Sequence, residues 1–322
     1  MAITRLYRNG ALVSEGFDVA DISDHIAESG CTVWADFVSP TEADLASIEE
    51  ELGLHELAIE DAVHDHQRPK LDRYDTHLFL AAYSVALDVA SGELTKKEIK
   101  AFITPRALVT VHDGSFDIQS LIRRWDDDAD LATHGVGYLL WGLLDAIVDG
   151  HFEAVQQLDT EIEELEDALF DDRPRDKEVQ RRSFELRKSL VTLRRVVLPM
   201  REVVNSVLRR DLDLSSPEMA PYFQDVYDHV LRATEWTESL RDLVTTILET
   251  NISIQGNRMN LIMKKVTSWA AIIAVPTAIT GFFGQNLAFL GFGTQWGVYI
   301  SVALILAASG ALYLSFKRRD WL

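Results

Sequence analysis

Charged residues are absent from Val266 to Phe316, and cysteine is almost absent from the whole chain. The single cysteine, Cys31, excludes an intrachain disulfide and suits a reducing compartment. The sequence contains no paired-cysteine motif, no phosphate-binding glycine loop and no Ser-His-Asp order, so we expect neither an enzyme nor an organic cofactor. The first residues contain no apolar run of the kind that predicts a signal peptide.

The uncharged stretch is long enough to cross a membrane twice. It has 51 residues, whereas a hydrocarbon core of about 30 Å needs about 20 apolar residues for each helical crossing. We therefore predict membrane helices at 266–283 and 296–316, with a loop at 284–295 and a basic tail at 317–322. Two crossings place both ends of the chain on the same side of the membrane.

Basic residues are scarce, and their positions predict the orientation. The chain has 51 acidic and 31 basic residues and a net charge of −20, which excludes nucleic acid as a partner. Six of the basic residues flank the uncharged stretch: Arg258, Lys264, Lys265, Lys317, Arg318 and Arg319. Because positive charge collects on the cytoplasmic side, we expect a protein of the plasma or inner membrane with both termini in the cytoplasm and the loop outside.

The residues before the membrane helices predict a cytoplasmic α+β domain over 1–130. Short alternating runs separated by Gly, Pro and polar turns predict strands, and they favour a mixed α/β layer over a parallel doubly wound fold. A capped helix is predicted from Thr41 to Leu52, with Gly53 as its stop. The predicted strands are Thr32–Val38, His77–Val85, Glu98–Ile103 and Ala107–His112.

Residues 131–220 have a helical period and many acidic side chains. Arg173-Pro174 interrupts this region, and a second helix is predicted from about Asp176. We expect an antiparallel hairpin of charged, solvent-exposed arms. After Pro221 no proline occurs before Pro276, so residues 221–265 predict a stalk that continues into the first membrane helix. That single helix, from Tyr222 to Phe283, would be about 90 Å long.

One face of the first membrane helix carries small or mildly polar residues at steps of three and four. Small residues can simply let helices pack closely. This face, however, leads from Asn260 to Gly284-Gln285-Asn286, and polar groups at a membrane boundary favour a water-filled path. The face comprises Asn260, Met263, Thr267, Ala270, Ala274, Thr277, Gly281 and Gly284.

Four motifs in this order resemble the CorA-type magnesium transporters, over nearly the whole chain. They are His66-Gln67-Arg68-Pro69-Lys70, Tyr222-Phe223-Gln224-Asp225-Val226-Tyr227-Asp228-His229, Gly284-Gln285-Asn286 and the closing Lys317-Arg318-Arg319-Asp320-Trp321-Leu322. The resemblance implies a homopentameric, funnel-shaped channel in a lipid bilayer. Its stalk helices and first membrane helices would line one axial pore for divalent cations.

The resemblance also implies the residues of the pore. Asn286, with Gly284 and Gln285, would form the outer entrance, where amide and carbonyl oxygens contact the hydration shell of Mg²⁺. Asn260 and Thr277 would add oxygen rings along the path. Met263 would form a hydrophobic constriction near the cytoplasmic end.

Regulatory metal sites between subunits are a further implication. They fall on Glu60 and Asp61, on Asp145, and on Asp225. Mg²⁺ would then be both cargo and regulator, because carboxylates that face each other across subunits repel unless a cation neutralises them. Taken singly, each of these acids is more typical of a solvated surface carboxylate, and only their joint match favours the metal sites.

One departure from the resemblance leaves alternatives open. CorA-type proteins usually carry Met at the middle of the Gly-x-Asn triad, whereas this chain has Gln285. Selectivity for Mg²⁺ over Co²⁺, Ni²⁺ or Zn²⁺ is therefore not fixed, and a ZntB-type zinc transporter is the nearest alternative. A membrane-tethered metal sensor that transports nothing, or an acidic scaffold with a membrane anchor, is a third class.

Overall fold

A computed structural model describes residues 2–64, 67–88, 91–170, 176–209, 216–285 and 293–322. The chain divides into two compact units, Met1–Ile247 and Leu248–Leu322.

The first unit is built on a seven-stranded mixed sheet with the strand order β2-β1-β3-β7-β6-β5-β4. Of the neighbouring strands, β3 and β7 run parallel and the other pairs run antiparallel. The mixed α/β layer predicted from the sequence is confirmed. The strands are β1 (Ala2–Arg8), β2 (Ala11–Glu15), β3 (Cys31–Val38), β4 (Lys70–Arg73), β5 (Leu78–Asp88), β6 (Glu93–Ile103) and β7 (Ala107–His112).

Three short helices cover one face of this sheet. They are α1 (Ile22–Ala27), α2 (Glu42–Leu52) and α3 (Glu56–Val63). Alternate residues of β3, including Val33 and Ala35, pack with Ile48 of α2 in a continuous apolar core, as the two-residue period of a strand requires. Helix α2 begins with a capping box between Thr41 and Asp44 and ends at Gly53, which adopts a left-handed conformation, so its predicted bounds are confirmed.

The opposite face carries longer helices. Trp34 of β3 points to this side, where its ring meets Trp125 at 5.0 Å between ring centroids. The helices that follow β7 are α4 (Ile118–Asp126), α5 (Ala129–Ala132), α6 (Val136–Leu169) and α7 (Asp176–Leu208).

Helix α6 is less exposed than its acidic residues suggested. Leu140, Leu144 and His151 are completely buried, and the imidazole Nε2 of His151 lies 2.7 Å from the carbonyl oxygen of Tyr83 on β5. The expected solvent-exposed arm is therefore wrong for this part of the chain, because α6 packs its apolar side on the sheet. Nη2 of Arg182 on α7 forms an ion pair with Oε2 of Glu161 on α6 at 2.5 Å. The predicted helix break at Arg173-Pro174 lies outside the described residues.

Two helices are long and apolar enough to cross a membrane: α8 (Ala220–Phe283) and α9 (Gln295–Arg318). The single helix predicted from Tyr222 to Phe283 is confirmed, and it has 64 residues. Helix α8 begins in the first unit and ends in the second. Pro276 lies inside it, and the hydroxyl of Thr280 donates to the Pro276 carbonyl at 2.8 Å.

Candidate cation sites

Two carboxylates of α6 share one guanidinium. Asp145 and Asp149 lie one helical turn apart on the same face. Nη2 of Arg124 on α4 lies 2.5 Å from Oδ2 of Asp145 and 2.8 Å from Oδ2 of Asp149. The Asp145 side chain is only 10% exposed, whereas that of Asp149 is 50% exposed. The sequence predicted Asp145 as a metal ligand, and it gave no sign of Arg124, which lies on a different helix.

Two residues of α8, Asp225 and His229, lie close to these two carboxylates of α6. Nδ1 of His229 lies 3.8 Å from Oδ2 of Asp225, one turn earlier on the helix. One ligand atom each from Asp145, Asp149 and His229 lie within 4.8 Å of one another. The structure therefore brings together two of the four predicted regulatory acids, Asp145 and Asp225, and adds Asp149 and His229. Asp149 follows Asp145 by four residues, and His229 follows Asp225 by four residues. This helical spacing is the signal in the sequence that could have identified Asp149 and His229.

The electrostatic environment of Asp145 reflects this crowding. Burial raises the pKa of the Asp145 carboxyl above its usual value, and the carboxylates of Asp149 and Asp225 raise it further, while Arg124 and His229 act in the opposite direction. Because a buried carboxylate needs a compensating positive charge, this position favours a cation. Carboxylate oxygens suit Mg²⁺, and the imidazole nitrogen of His229 suits softer divalent ions.

The other two predicted acids lie on α3. The carboxylate of Asp61 accepts hydrogen bonds from Nε2 of Gln67 at 3.1 Å and from Nζ of Lys70 at 2.6 Å. Burial alone would lower the pKa of Lys70, but its hydrogen bonds to Asp61 and Asp72 raise it. Glu60 is exposed. The motif that begins at His66, itself outside the described residues, thus holds Asp61 in place through Gln67 and Lys70.

The four acids do not form one site within a single chain. In the described ranges, no hydrogen bond or ion pair joins Glu60 or Asp61 to Asp145 or Asp225, and the metal-ligating group of Asp145, Asp149 and His229 includes neither residue of α3.

The predicted pore face of α8 is open in the second unit. Met263 is 57% exposed, and Asn260, Thr267 and Thr277 are exposed as well. The hydroxyl of Thr277 donates to the carbonyl of Ile273 at 3.1 Å, which leaves its oxygen lone pairs available as acceptors. Polar residues that face lipid are energetically costly, so this face of α8 is expected to contact another helix or water.

A cavity of about 650 Å³ lies at one end of this face. Asn260, Met263, Thr267 and Trp321 are among the residues that line it. Trp321 is held by the end of α9, where its backbone N–H donates to the Phe316 carbonyl at 3.0 Å and its ring stacks on Phe316 with 5.7 Å between ring centroids. Two predicted pore residues, Asn260 and Met263, therefore line a cavity together with Trp321, the only tryptophan of the basic tail.

The C-terminal end of α8 is described as far as Gln285. The Gly284 N–H donates to the Thr280 carbonyl at 2.9 Å, and that of Gln285 donates to the Phe282 carbonyl at 3.3 Å, which tightens the last turn. A Cβ atom on Gly284 would meet the Thr280 oxygen at 3.1 Å, so the helix end favours a residue without a side chain here. Asn286 lies outside the described residues.

A mixed α/β domain, acids grouped on its helices and two helices with uncharged segments of membrane length define the class of integral membrane proteins that handle metal cations. Residues 29–318 match the family described as CorA-like Mg2+ transporter protein. The chain belongs to this family of divalent cation transporters.

Curated relatives match over most of their length. The chain is 29% identical to the "Cobalt/magnesium transport protein CorA" of Thermotoga maritima, over 92% of this chain and 85% of that protein. It is also 29% identical to the "Putative metal ion transporter YfjQ" of Bacillus subtilis, over 89% of each.

Solved structures share the fold. The complete CorA magnesium transporter of Methanocaldococcus jannaschii superimposes with a TM-score of 0.79 at 22% identity, over 100% of this chain and 99% of that one. The ZntB cytoplasmic domain of Vibrio parahaemolyticus gives a TM-score of 0.63 at 11% identity, over 80% of this chain and 98% of that one. The predicted architecture of an α+β domain, a long helix and two C-terminal apolar helices is confirmed.

Proposed function

We propose that this chain is a homopentameric channel of the plasma membrane that takes up Mg²⁺, with Co²⁺ and Ni²⁺ as further cargo. The family match over residues 29–318, which includes both apolar helices, carries the proposal. Relatives named for cobalt and magnesium transport favour this cargo over zinc. The ZntB likeness has 11% identity and bears on the fold alone.

Five copies of α8 would enclose the path that a single chain leaves open. Asn286, Gly284 and Gln285 would meet the hydrated ion at the outer mouth, Thr277 and Asn260 would offer oxygens along the way, and Met263 would narrow the inner end. No cofactor is needed to drive uptake. A divalent ion that falls through a potential of 100 mV gains about 4.6 kcal/mol, twice the value for a single charge.

Intracellular Mg²⁺ would close the channel by binding between subunits. In this proposal Glu60 and Asp61 of one copy face Asp145 and Asp225 of the next. Asp61 lies on α3 and Asp145 on α6, and the group of ligating atoms around Asp145 does not include Asp61, which supports a site that is completed by a second copy. The domain 1–130 and the helices of 131–220 would carry the sensor, the stalk 221–265 would connect it to the pore, and both termini would be cytoplasmic.

The proposal is tested by ion flux into liposomes that contain the purified protein. We expect uptake of Mg²⁺ and Co²⁺ by the wild type and its loss in Asn286→Ala, with the oligomer intact on size exclusion. Gln295→Ala, which removes an exposed amide at the start of α9, is the matched control and should transport normally. Full uptake by Asn286→Ala would refute the pore assignment, whereas uptake of Zn²⁺ alone, driven by a pH gradient, would identify the ZntB-type alternative.

A further inference from the structure

Arg124 pairs with Asp145, one of the carboxylates that the proposed function assigns to a regulatory cation, and with its neighbour Asp149. Its Nη2 lies 2.5 Å from Oδ2 of Asp145 and 2.8 Å from Oδ2 of Asp149. Both of these contacts are charge-assisted and shorter than 3 Å, as expected of strong pairs. The buried carboxylate of Asp145 is therefore already neutralised by a cation that belongs to the protein.

The backbone of Arg124 is fixed on α6, so only its side chain can leave. The indole Nε1 of the next residue, Trp125, donates to the Leu139 carbonyl at 3.1 Å. The hydroxyl of Tyr138 lies 3.2 Å from the carbonyl oxygen of Arg124 itself. A Cβ atom on Gly142 would come within 2.6 Å of that indole nitrogen, which shows how closely α4 rests on α6.

The Arg124 side chain is free enough to exchange. It is 36% exposed, and its second partner, Asp149, is 50% exposed. A surface ion pair of this kind is held weakly, because water competes for both groups. The pair with Asp145, which is 10% exposed, is the one that has to be replaced when Arg124 moves away.

We infer that Arg124 is a tethered counter-ion that competes with the divalent cation for Asp145 and Asp149. The inference rests on the proposed function, because it takes Asp145 as a ligand of the regulatory cation. A Mg²⁺ ion would need a carboxylate oxygen at about 2.1 Å. It would approach a site that already holds a positive charge, so the ion binds only by displacing the guanidinium.

This competition has a regulatory consequence. With Arg124 in place, part of the negative charge of the sensor is offset when Mg²⁺ is scarce, and the repulsion among the carboxylates of Asp145, Asp149 and Asp225 is reduced. The repulsion from the guanidinium also weakens cation binding, which moves the response to higher Mg²⁺ concentrations. Arg124 thereby sets the concentration at which the sensor fills.

The test is a Mg²⁺ titration of the full-length protein in detergent, read as the midpoint of the Mg²⁺-dependent rise in unfolding temperature and as heat of binding by calorimetry. Neither measurement depends on transport. Arg124→Gln should lower the Mg²⁺ midpoint about tenfold, because one opposing charge is removed close to the ion. Arg124→Lys, which keeps the charge, should stay near the wild type.

Arg123→Gln is the matched control, since it removes the same charge from the neighbouring exposed position of α4. It should change the midpoint less than twofold. Equal midpoints for Arg124→Gln and Arg123→Gln, or a higher midpoint for Arg124→Gln, would overturn the inference. A destabilised Arg124→Gln protein remains informative, because the calorimetric midpoint is measured below its unfolding temperature.

Asp225→Ala separates this inference from the proposed function. If the wild type shows a saturable Mg²⁺ response that Asp225→Ala abolishes, the sensor exists, and an unshifted Arg124→Gln then refutes only the role of Arg124. If the wild type shows no Mg²⁺ response at all, both the proposed sensor and the role of Arg124 are refuted.

Discussion

At the scale of single residues, Gly142 is the point at which α4 meets α6. A side chain there would lie 2.6 Å from Nε1 of Trp125, which is 2% exposed and cannot move aside. We expect Gly142→Ala to lower the free energy of unfolding by about 1–3 kcal/mol, as overpacked cores do. Thermal unfolding of the purified protein measures this change.

Gly150→Ala is the control on the same helix. The added methyl would meet the Val85 carbonyl at 3.4 Å, which is an ordinary contact. It should be neutral or slightly stabilising, because alanine favours a helix over glycine by about 1 kcal/mol. Equal losses for the two variants would mean that the contact between Trp125 and Gly142 does not constrain α6.

A buried histidine predicts how stability depends on pH. Burial lowers the pKa of His151 to about 4, although its hydrogen bond to the Tyr83 carbonyl raises it slightly. The unfolded chain, with a pKa of 6.5, binds more protons between these values. Stability is therefore complete above about pH 6.5 and falls as the pH drops toward 4.

Between pH 7 and pH 5 the free energy of unfolding should fall by about 2 kcal/mol more in the wild type than in His151→Gln. The glutamine amide of this variant keeps a hydrogen-bond donor to the Tyr83 carbonyl but cannot titrate. Unfolding curves at the two pH values give the difference. His134→Gln, at a half-buried position, should lose as much as the wild type. A His151→Gln protein with the full wild-type loss would contradict the assignment.

At the scale of elements, α9 ends in a Schellman motif. Asp320 has a φ of 53°, its N–H donates to the Lys317 carbonyl, and the N–H of Trp321 donates to that of Phe316. A β-branched residue is strained in this conformation, whereas glycine is not. Asp320→Val should therefore free the tail, so that carboxypeptidase removes Leu322 and Trp321 several-fold faster, and Asp320→Gly should slow their removal.

The role of backbone conformation is separated from that of charge by Asp320→Asn. Asparagine tolerates the left-handed region and carries no charge. Its cleavage rate should equal that of the wild type. A rate as fast as that of Asp320→Val would mean that the aspartate charge, rather than the turn, retains the tail.

The elements also show where sequence patterns succeed and fail. Helix α8 was predictable because residues 222–275 contain no proline and a single glycine. Strands β1 and β2 were missed. In β1 the buried Arg5 breaks the apolar alternation, and its partner Asp126 is 121 residues away. Strand β2 is a largely exposed edge strand without an apolar face.

Some residues of the candidate site could likewise be predicted from the sequence, and others could not. Asp145 and Asp225 were identified through motifs, whose spacing is local. Arg124 lies 21 residues before Asp145 on a separate helix, and only the docking of α4 on α6 brings the two together. A contact of this kind leaves no periodic trace in the sequence, so the counter-ion had to be found in the structure.

At the scale of the whole molecule, the proposed oligomer has to balance acidic charge between its copies. The chain carries a net charge of −20, and the proposed sensor places acids of neighbouring subunits opposite one another. Asp61→Ala combined with Asp225→Ala should weaken inhibition by millimolar internal Mg²⁺ and raise flux in liposomes. It should also make α8 more sensitive to protease in the presence of Mg²⁺, because the cation no longer clamps the subunits together.

Glu163→Ala combined with Glu166→Ala removes the same charge from exposed positions of α6 and is the matched control. It should keep normal inhibition. Unchanged Mg²⁺ inhibition in the Asp61 and Asp225 double variant would refute the feedback proposal, but it would not contradict the proposal that the protein transports Mg²⁺.

Because Trp125 of α4 packs on Trp34 of β3, intrinsic tryptophan fluorescence reports whether α4 stays on the sheet. The two indoles are almost completely buried, and their ring centroids are 5.0 Å apart at an interplanar angle of 72°. Emission from buried indoles lies at shorter wavelengths than emission from hydrated ones, and rings at this separation exchange excitation energy. Intrinsic fluorescence should therefore stay constant if only the Arg124 side chain moves, and shift to the red if α4 itself detaches, without any added dye.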